Sequence, residues 1–277
     1  MSTTPHTAKR AAGAAGEQVV QADAFEWLAR AGFIARGVIY AIIGILAVKL
    51  ALGVGGKTTD QQGALRTIAH QPFGKALLVA VAIGLAGYSL WRLTRAAVGH
   101  GPEGSDSGFD RLAALGSGVA YGIVCSIAVE ILLGSGSSSS GSPHKAAAGV
   151  LGWSGGTWLV GAAGALMIGI GLYQGYRAVT QDFLEDSKTE QMSPAARSWL
   201  SWIGTFGYAT RMVVFGLIGI FLVKSAIDYN PSKAVGVDGA LAKLSNGSHG
   251  SLLLGVVAFG LIAFALYSFT DARYRRI

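Results

Sequence analysis

Charge is what this chain has least of. Of 277 residues only 22 are Lys or Arg and 15 are Asp or Glu, a charged fraction of 13%, about half the ~25% of an ordinary soluble domain. With 51% of residues hydrophobic and a mean hydropathy of +0.47, there is too little polar surface to cover a water-soluble globule of this length. Cysteine is nearly absent, and the single Cys125 excludes an intramolecular disulfide framework and any CxxC metal or redox motif. Catalytic signatures are missing too: no Gly-x-Ser-x-Gly elbow, no His-x-x-x-His pair and no G-x-x-x-x-G-K-[ST] phosphate loop. The net charge of +7 comes from basic residues scattered at the ends of apolar segments. No basic patch of the kind nucleic acid requires is visible.

What is present is length in apolar runs. Six stretches of about 20 residues, enough to cross a ~30 Å hydrocarbon core, run near 33–53, 74–94, 113–134, 157–178, 208–228 and 251–270. The residues before them, 1–24, read as a disordered tail with no removed signal peptide. Placing both termini on one side collects fourteen of the 22 basic residues there and leaves eight on the other, so the positive-inside rule predicts a multi-pass membrane protein with cytoplasmic termini. Segments such as Ala24–Arg30 and Arg197–Leu200 alternate apolar and charged faces. They read equally as short interfacial helices or as extensions of the spans.

The chain repeats itself. Gly32, Arg36, Gly37, Tyr40, Gly44 and Lys49 correspond at a shift of 175 to Gly207, Arg211, Met212, Phe215, Gly219 and Lys224, and Gly84-Leu85 corresponds at 176 to Gly260-Leu261. A weaker middle copy aligns Gly37, Tyr40, Gly44 and Lys49 with Gly118, Tyr121, Cys125 and Glu130 at a shift of 81. There Gly84, Tyr88, Trp91 and Arg92 align with Gly169, Tyr173, Tyr176 and Arg177 at 85. Three units of two spans result, over 25–99, 100–180 and 197–277, with an acidic linker over 181–196. An even number of spans per unit makes the copies parallel, which excludes inverted repeats. The predicted fold is all-α, a six-transmembrane-helix bundle of three parallel two-helix repeats with approximate threefold symmetry.

The tripled pair, the first-span pattern Ala31-Gly32-Phe33-Ile34-Ala35-Arg36-Gly37-Val38-Ile39-Tyr40 followed by Gly44, the loop Gly63-Ala64-Leu65, and the second-span Gly74, Gly84-Leu85 and Tyr88 together resemble the DUF1206 family of bacterial membrane proteins, in which a two-span unit occurs three times. The likeness covers nearly everything after the tail. The middle unit departs from it, with Ser117 in place of the arginine and Cys125 in place of a glycine. It implies fold and location, and no activity.

Ionisable groups inside spans are the candidate functional residues. Arg36 and Arg211, about one turn into spans one and five, read first as snorkelling side chains touching lipid phosphate. The alternative is that they point into the bundle to bind an anion or pair with a carboxylate such as Asp110. Lys49, Glu130 and Lys224 fall at equivalent positions and would form a polar layer if the units close around an axis, or be three separate interfacial groups. Gly37, Gly44, Gly84, Gly169, Gly219 and Gly260 are expected to let helices approach closely. His70, His144 and His249, one per unit, have no spacing that fixes metal geometry, so no metal and no cofactor are expected. The acidic run Asp182, Glu185, Asp186 and Glu190 reads as a solvated hinge. Gln61–His70 and Val237–Asn246 read as short outer amphipathic helices, able to receive a protein partner or to lid the bundle. Membrane lipids are the expected partners and nucleic acid is not. Sparse buried chemistry favours a non-enzymatic structural or accessory role. A pore or carrier for an ion or small solute, using Lys49, Glu130 and Lys224, ranks second, and a lipid-interface enzyme third.

Overall fold

A computed structural model describes residues 23–98, 108–134 and 143–276. The predicted 1–24 tail falls almost wholly outside them, as do His6, His100 and the side chain of Asp110. The described chain is helical. α1 (Asp23–Ala51), α3 (Gly74–Val98), α4 (Gly108–Leu132), α6 (Gly156–Thr180), α7 (Pro194–Ile227) and α9 (Gly250–Tyr274) are the long helices, and α2 (Gln61–Ala69), α5 (Pro143–Leu151) and α8 (Val237–Ser245) the short ones. All six long helices are apolar and long enough to cross a bilayer, which makes this a multi-pass membrane protein. α1 and α7 run unbroken through the segments that alternate apolar and charged faces, so these are extensions of the spans. α7 starts cleanly because Ser193 accepts a hydrogen bond from the Ala196 amide while Pro194 occupies the first turn, where its missing N–H costs nothing.

Each pair of spans is joined at the far end, opposite the end where α1 begins and α9 finishes, by a short helix lying on the bundle. α2 buries Ala64, Leu65 and Ile68, and α8 buries Ala240 and Leu241. The third, α5, buries Ala147 and Leu151; it lies just past a Gly/Ser-rich stretch that masks its helical period in the sequence. Every second span then begins with a glycine, at residues 74, 156 and 250, tucked against the backbone carbonyls of the preceding short helix.

Packing order explains the threefold plan. α4 packs on α3, α3 on α1, α1 on α9, α9 on α7 and α7 on α6, the order a ring of three units requires. Between units the same device recurs. A Cβ on Gly44 would sit 3.0 Å from the Ala258 carbonyl of α9, and one on Gly219 would sit 2.6 Å from the Gly164 carbonyl of α6. At the third interface the Cys125 Sγ donates to the Ala82 carbonyl of α3 at 3.4 Å. Small residues here bring backbones together where lipid supplies no hydrophobic drive between helices.

These contacts correct the repeat register. They and the three glycine helix starts match Ala82 with Gly164 and Ala258, and therefore Trp91 with Tyr173 and Arg95 with Arg177, three residues away from the alignment of Gly84 with Gly169. A slip of three residues keeps nearly the same helix face, so residue likeness alone did not detect it. Gly37, Gly44, Gly84, Gly219 and Gly260 all face a neighbouring element closely, whereas a Cβ on Gly169 would meet nothing within 4 Å.

The middle unit is also where the ring is open. In the first unit Gly84 meets the Ala31 carbonyl, and in the third Gly260 meets Thr210, sealing first span to second. In the middle unit Leu166 stands at that position and is 60% exposed, Gly116 of α4 faces open space, and α4 and α6 share no extended contact. A leucine thus stands where the other two units have the glycine of a close backbone crossing.

Gly84→Leu should therefore destabilise the bundle by at least the ~1–3 kcal/mol typical of overpacking, because the clash is with the Ala31 backbone 2.6 Å away. Gly169→Leu should leave the unfolding midpoint in detergent close to that of the wild type.

Candidate functional site

Arg36 sits on the buried face of α1 where α3 and α9 converge, and it is only 6% exposed. Its Nε donates to Ser268 Oγ at 3.0 Å, one Nη to the Tyr88 hydroxyl at 3.0 Å and the other to Asp271 Oδ2 at 2.9 Å. The rings of Phe33, Tyr88 and Phe264 lie 4.9, 5.4 and 5.1 Å from its Cζ. A planar guanidinium with five fixed donors suits such a site, since charge-assisted hydrogen bonds and aromatic faces replace the water it gave up. The snorkelling expectation is overturned for this residue. The side chain turns inward, and its carboxylate comes from the sixth span.

Asp271 begins a relay along the near end. Its Oδ2 also lies 3.4 Å from Arg275, Arg275 is 2.9 Å from Asp186, and Asp186 pairs with Arg177, which donates to the Tyr208 hydroxyl at 3.3 Å. Backbone contacts clasp the same region. The Lys188 amide donates to the Tyr274 carbonyl at 2.7 Å and the Arg276 amide to the Asp186 carbonyl at 2.9 Å, around an antiparallel bridge of Ser187 with Arg275. Phe183 is fully buried and stacks on Tyr208. The linker is thus no solvated hinge; it is pinned to the end of α9. Burial pushes the Asp186 carboxyl up, but Arg275, then Arg177, outweigh it and hold the group down at about 2. Arg275, desolvated but beside two carboxylates, is held well above its ordinary value. Arg30 joins α1 to the same end by donating to the Ala272 and Arg273 carbonyls at 2.6 and 2.7 Å, where the helix dipole favours a cation.

Arg211, the counterpart of Arg36, is placed differently. Its Cζ lies 4.4 Å from the Phe264 ring, 5.1 Å from Phe215 and 5.8 Å from Tyr40, so both arginines flank Phe264. Its Nε is buried without a hydrogen-bond partner, and among the described residues no carboxylate pairs with it. At the third equivalent position stands Ser117, and the arginine that reaches α4, Arg92, belongs to α3. Arg92 and Arg95 flank the Trp91 ring there at 5.8 and 4.9 Å, and Arg92 donates to the Ala113 carbonyl at 3.3 Å.

The polar layer expected of Lys49, Glu130 and Lys224 does not assemble. All three are exposed, among the described residues no ion pair joins them, and Lys224 lies over its own helix's Phe221 ring at 5.9 Å. Their positions near helix ends let each face outward. His70, His144 and His249 are likewise exposed; His70 and His144 each rest on a backbone carbonyl. Two cavities lie elsewhere: an apolar groove of about 720 Å³ between α1, α2 and α3, and a cleft of about 430 Å³ beside the clasp, lined by Gln181, Met192 and Arg197 among others. Asp271 escaped sequence reasoning, and Asp186 entered it only as part of a solvated hinge. Asp271 carried a usable signal, since it lies on the same face of α9 as Phe264, Tyr267 and Ser268 and has Arg275 four residues on.

Comparison with known proteins agrees with the tripled architecture. The family described as Domain of Unknown Function (DUF1206) matches three times, over residues 31–99, 112–181 and 206–275. An uncharacterized protein of Bacillus subtilis (strain 168) is 32% identical over 252 residues, covering 90% of each chain. No solved structure matches.

Asp271→Asn should cost about 3–5 kcal/mol of unfolding free energy, as removal of one partner from a buried ion pair does, read as a lowered denaturation midpoint in detergent. For Asp186 the folded value lies below the ordinary 3.8, so its contribution is complete above that value and is lost as pH falls towards about 2. The stability difference between wild type and Asp186→Asn should be constant from neutral pH down to about 4 and vanish near 2.

Proposed function

The chain belongs to the DUF1206 family, carrying its unit three times, and from that premise we propose that it is a non-enzymatic structural or accessory protein of the bacterial plasma membrane, with both termini cytoplasmic. The observation that carries this reading is the use of Arg36. Its hydrogen bonds go to α3 and α9, joining the first and third units, and the Asp271, Arg275, Asp186 and Arg177 relay extends the same joint to the second. In a transporter, charged groups at bilayer depth line a water-filled path; here most of them tie repeats together. The excess of basic residues at the near end supports its cytoplasmic placement, and the polar sides of α2, α5 and α8 remain available to a protein partner at the far end.

The purified protein in proteoliposomes should show no saturable uptake of potassium, chloride or phosphate above empty vesicles. Uptake abolished by Glu130→Gln would instead establish the pore or carrier reading. Membrane-impermeant maleimide applied to intact cells should label Lys57→Cys and spare Glu185→Cys, each in a Cys125→Ser background; the reverse pattern would invert the orientation.

A further inference from the structure

Arg211 and Arg36 are related by the repeat, yet every partner that satisfies Arg36 is changed around Arg211. In the register fixed by packing, Phe264 replaces Tyr88 and removes a hydroxyl, Gln174 replaces Ser268, and Arg177 replaces Asp271, exchanging a carboxylate for a second cation. Arg177 turns away to Tyr208 and Asp186. Arg211 is left against three aromatic faces with its Nε buried and unpartnered. Counted together, Arg36, Arg177, Arg211 and Arg275 oppose Asp186 and Asp271, four guanidiniums to two carboxylates. A buried polar group without a partner is costly, and a charged one more so.

The same bundle is open in its middle unit. α4 and α6 share no extended contact, and Gly116 and Gly169 face empty space. Arg211 itself retains partial exposure whereas Arg36 does not. Arg211 reaches toward Tyr40, Phe215 and Phe264, further from the near end than the Asp271 that Arg36 meets one turn inside the end of α9.

We infer that Arg211 is the anchor of an anion site that takes a phosphate oxyanion through the open seam between α4 and α6. The phosphate would supply the acceptor that Asp271 supplies to Arg36, leaving the aromatic shelf of Phe264 unchanged. The chemistry is common to an anionic phospholipid headgroup and to free inorganic phosphate. This inference is independent of the accessory reading, since binding without flux satisfies both.

The test uses the full chain in maltoside micelles, which carry no phosphate, titrated separately with phosphatidylglycerol and inorganic phosphate, with binding followed by native mass spectrometry and thermal midpoint. Phosphatidylglycerol should bind wild type and raise its midpoint, while Arg211→Met should bind about tenfold more weakly or worse, the loss expected of one charge-assisted contact. The exposed control Arg197→Met should behave as wild type. Saturable binding of inorganic phosphate alone, lost in Arg211→Met, supports the same site with a free anion as its ligand. Equal binding of both probes by wild type and Arg211→Met, or no binding to either, overturns the inference. A separate measurement guards against misfolding. In lipid-free micelles Arg211→Met should match or exceed the wild-type midpoint, because it removes an uncompensated charge, whereas Arg36→Met should fall below it. A fall in both would make Arg211 a structural group and would also overturn the proposal.

Discussion

A guanidinium held at bilayer depth has to be matched from its own chain, because lipid tails offer it neither water nor acceptors. Arg36 meets that demand with three side chains from two other helices, and the geometry of the bundle follows from it. Tyr88 fixes α3 against α1 within the first unit. Ser268 and Asp271 fix α9 of the third unit against the same helix, so the two ends of the described chain are joined at one residue. Asp271 also meets Arg275, whose charge Asp186 balances, and Asp186 takes Arg177 in turn. Glycine contacts set how closely the helices approach, and the ionic relay sets which helices approach.

Three repeats descend through this scheme unequally. The first and third keep the arginine on their leading helix, and the middle has Ser117 there with arginines on the helix opposite. The middle unit also has Leu166 where the others have Gly84 and Gly260, and its two helices part. Its spans are the least enclosed of the six, with 17% and 22% of their apolar windows buried against 33–56% elsewhere. Divergence in sequence and loosening in structure fall on the same unit. The physical link is the loss of a small residue at a close backbone crossing.

Hydropathy and self-similarity made the six spans and their grouping legible, because a long apolar run can only cross and an even count can only return. The small-residue stripes were legible for the same reason. Pairing across the bundle was not. Asp271 lies 235 residues from Arg36, in a short polar stretch whose acidic member looks like ordinary helix-end decoration. Asp186 sat among four acidic residues whose local density suggested water, and no local pattern shows that Phe183 beside it is buried. The middle register was misread because glycine, tyrosine and arginine recur at three-residue spacing on one helix face.

The distance along the chain between Arg36 and its carboxylate has a consequence for biogenesis. At roughly 5–20 residues per second, a nascent polypeptide already carrying that cation waits on the order of ten to fifty seconds before its anion is synthesised. Throughout that interval the first helix is a poor resident of hydrocarbon, so its final seating belongs to the last stage of assembly. The contact between the first helix and the last is therefore the final one to form.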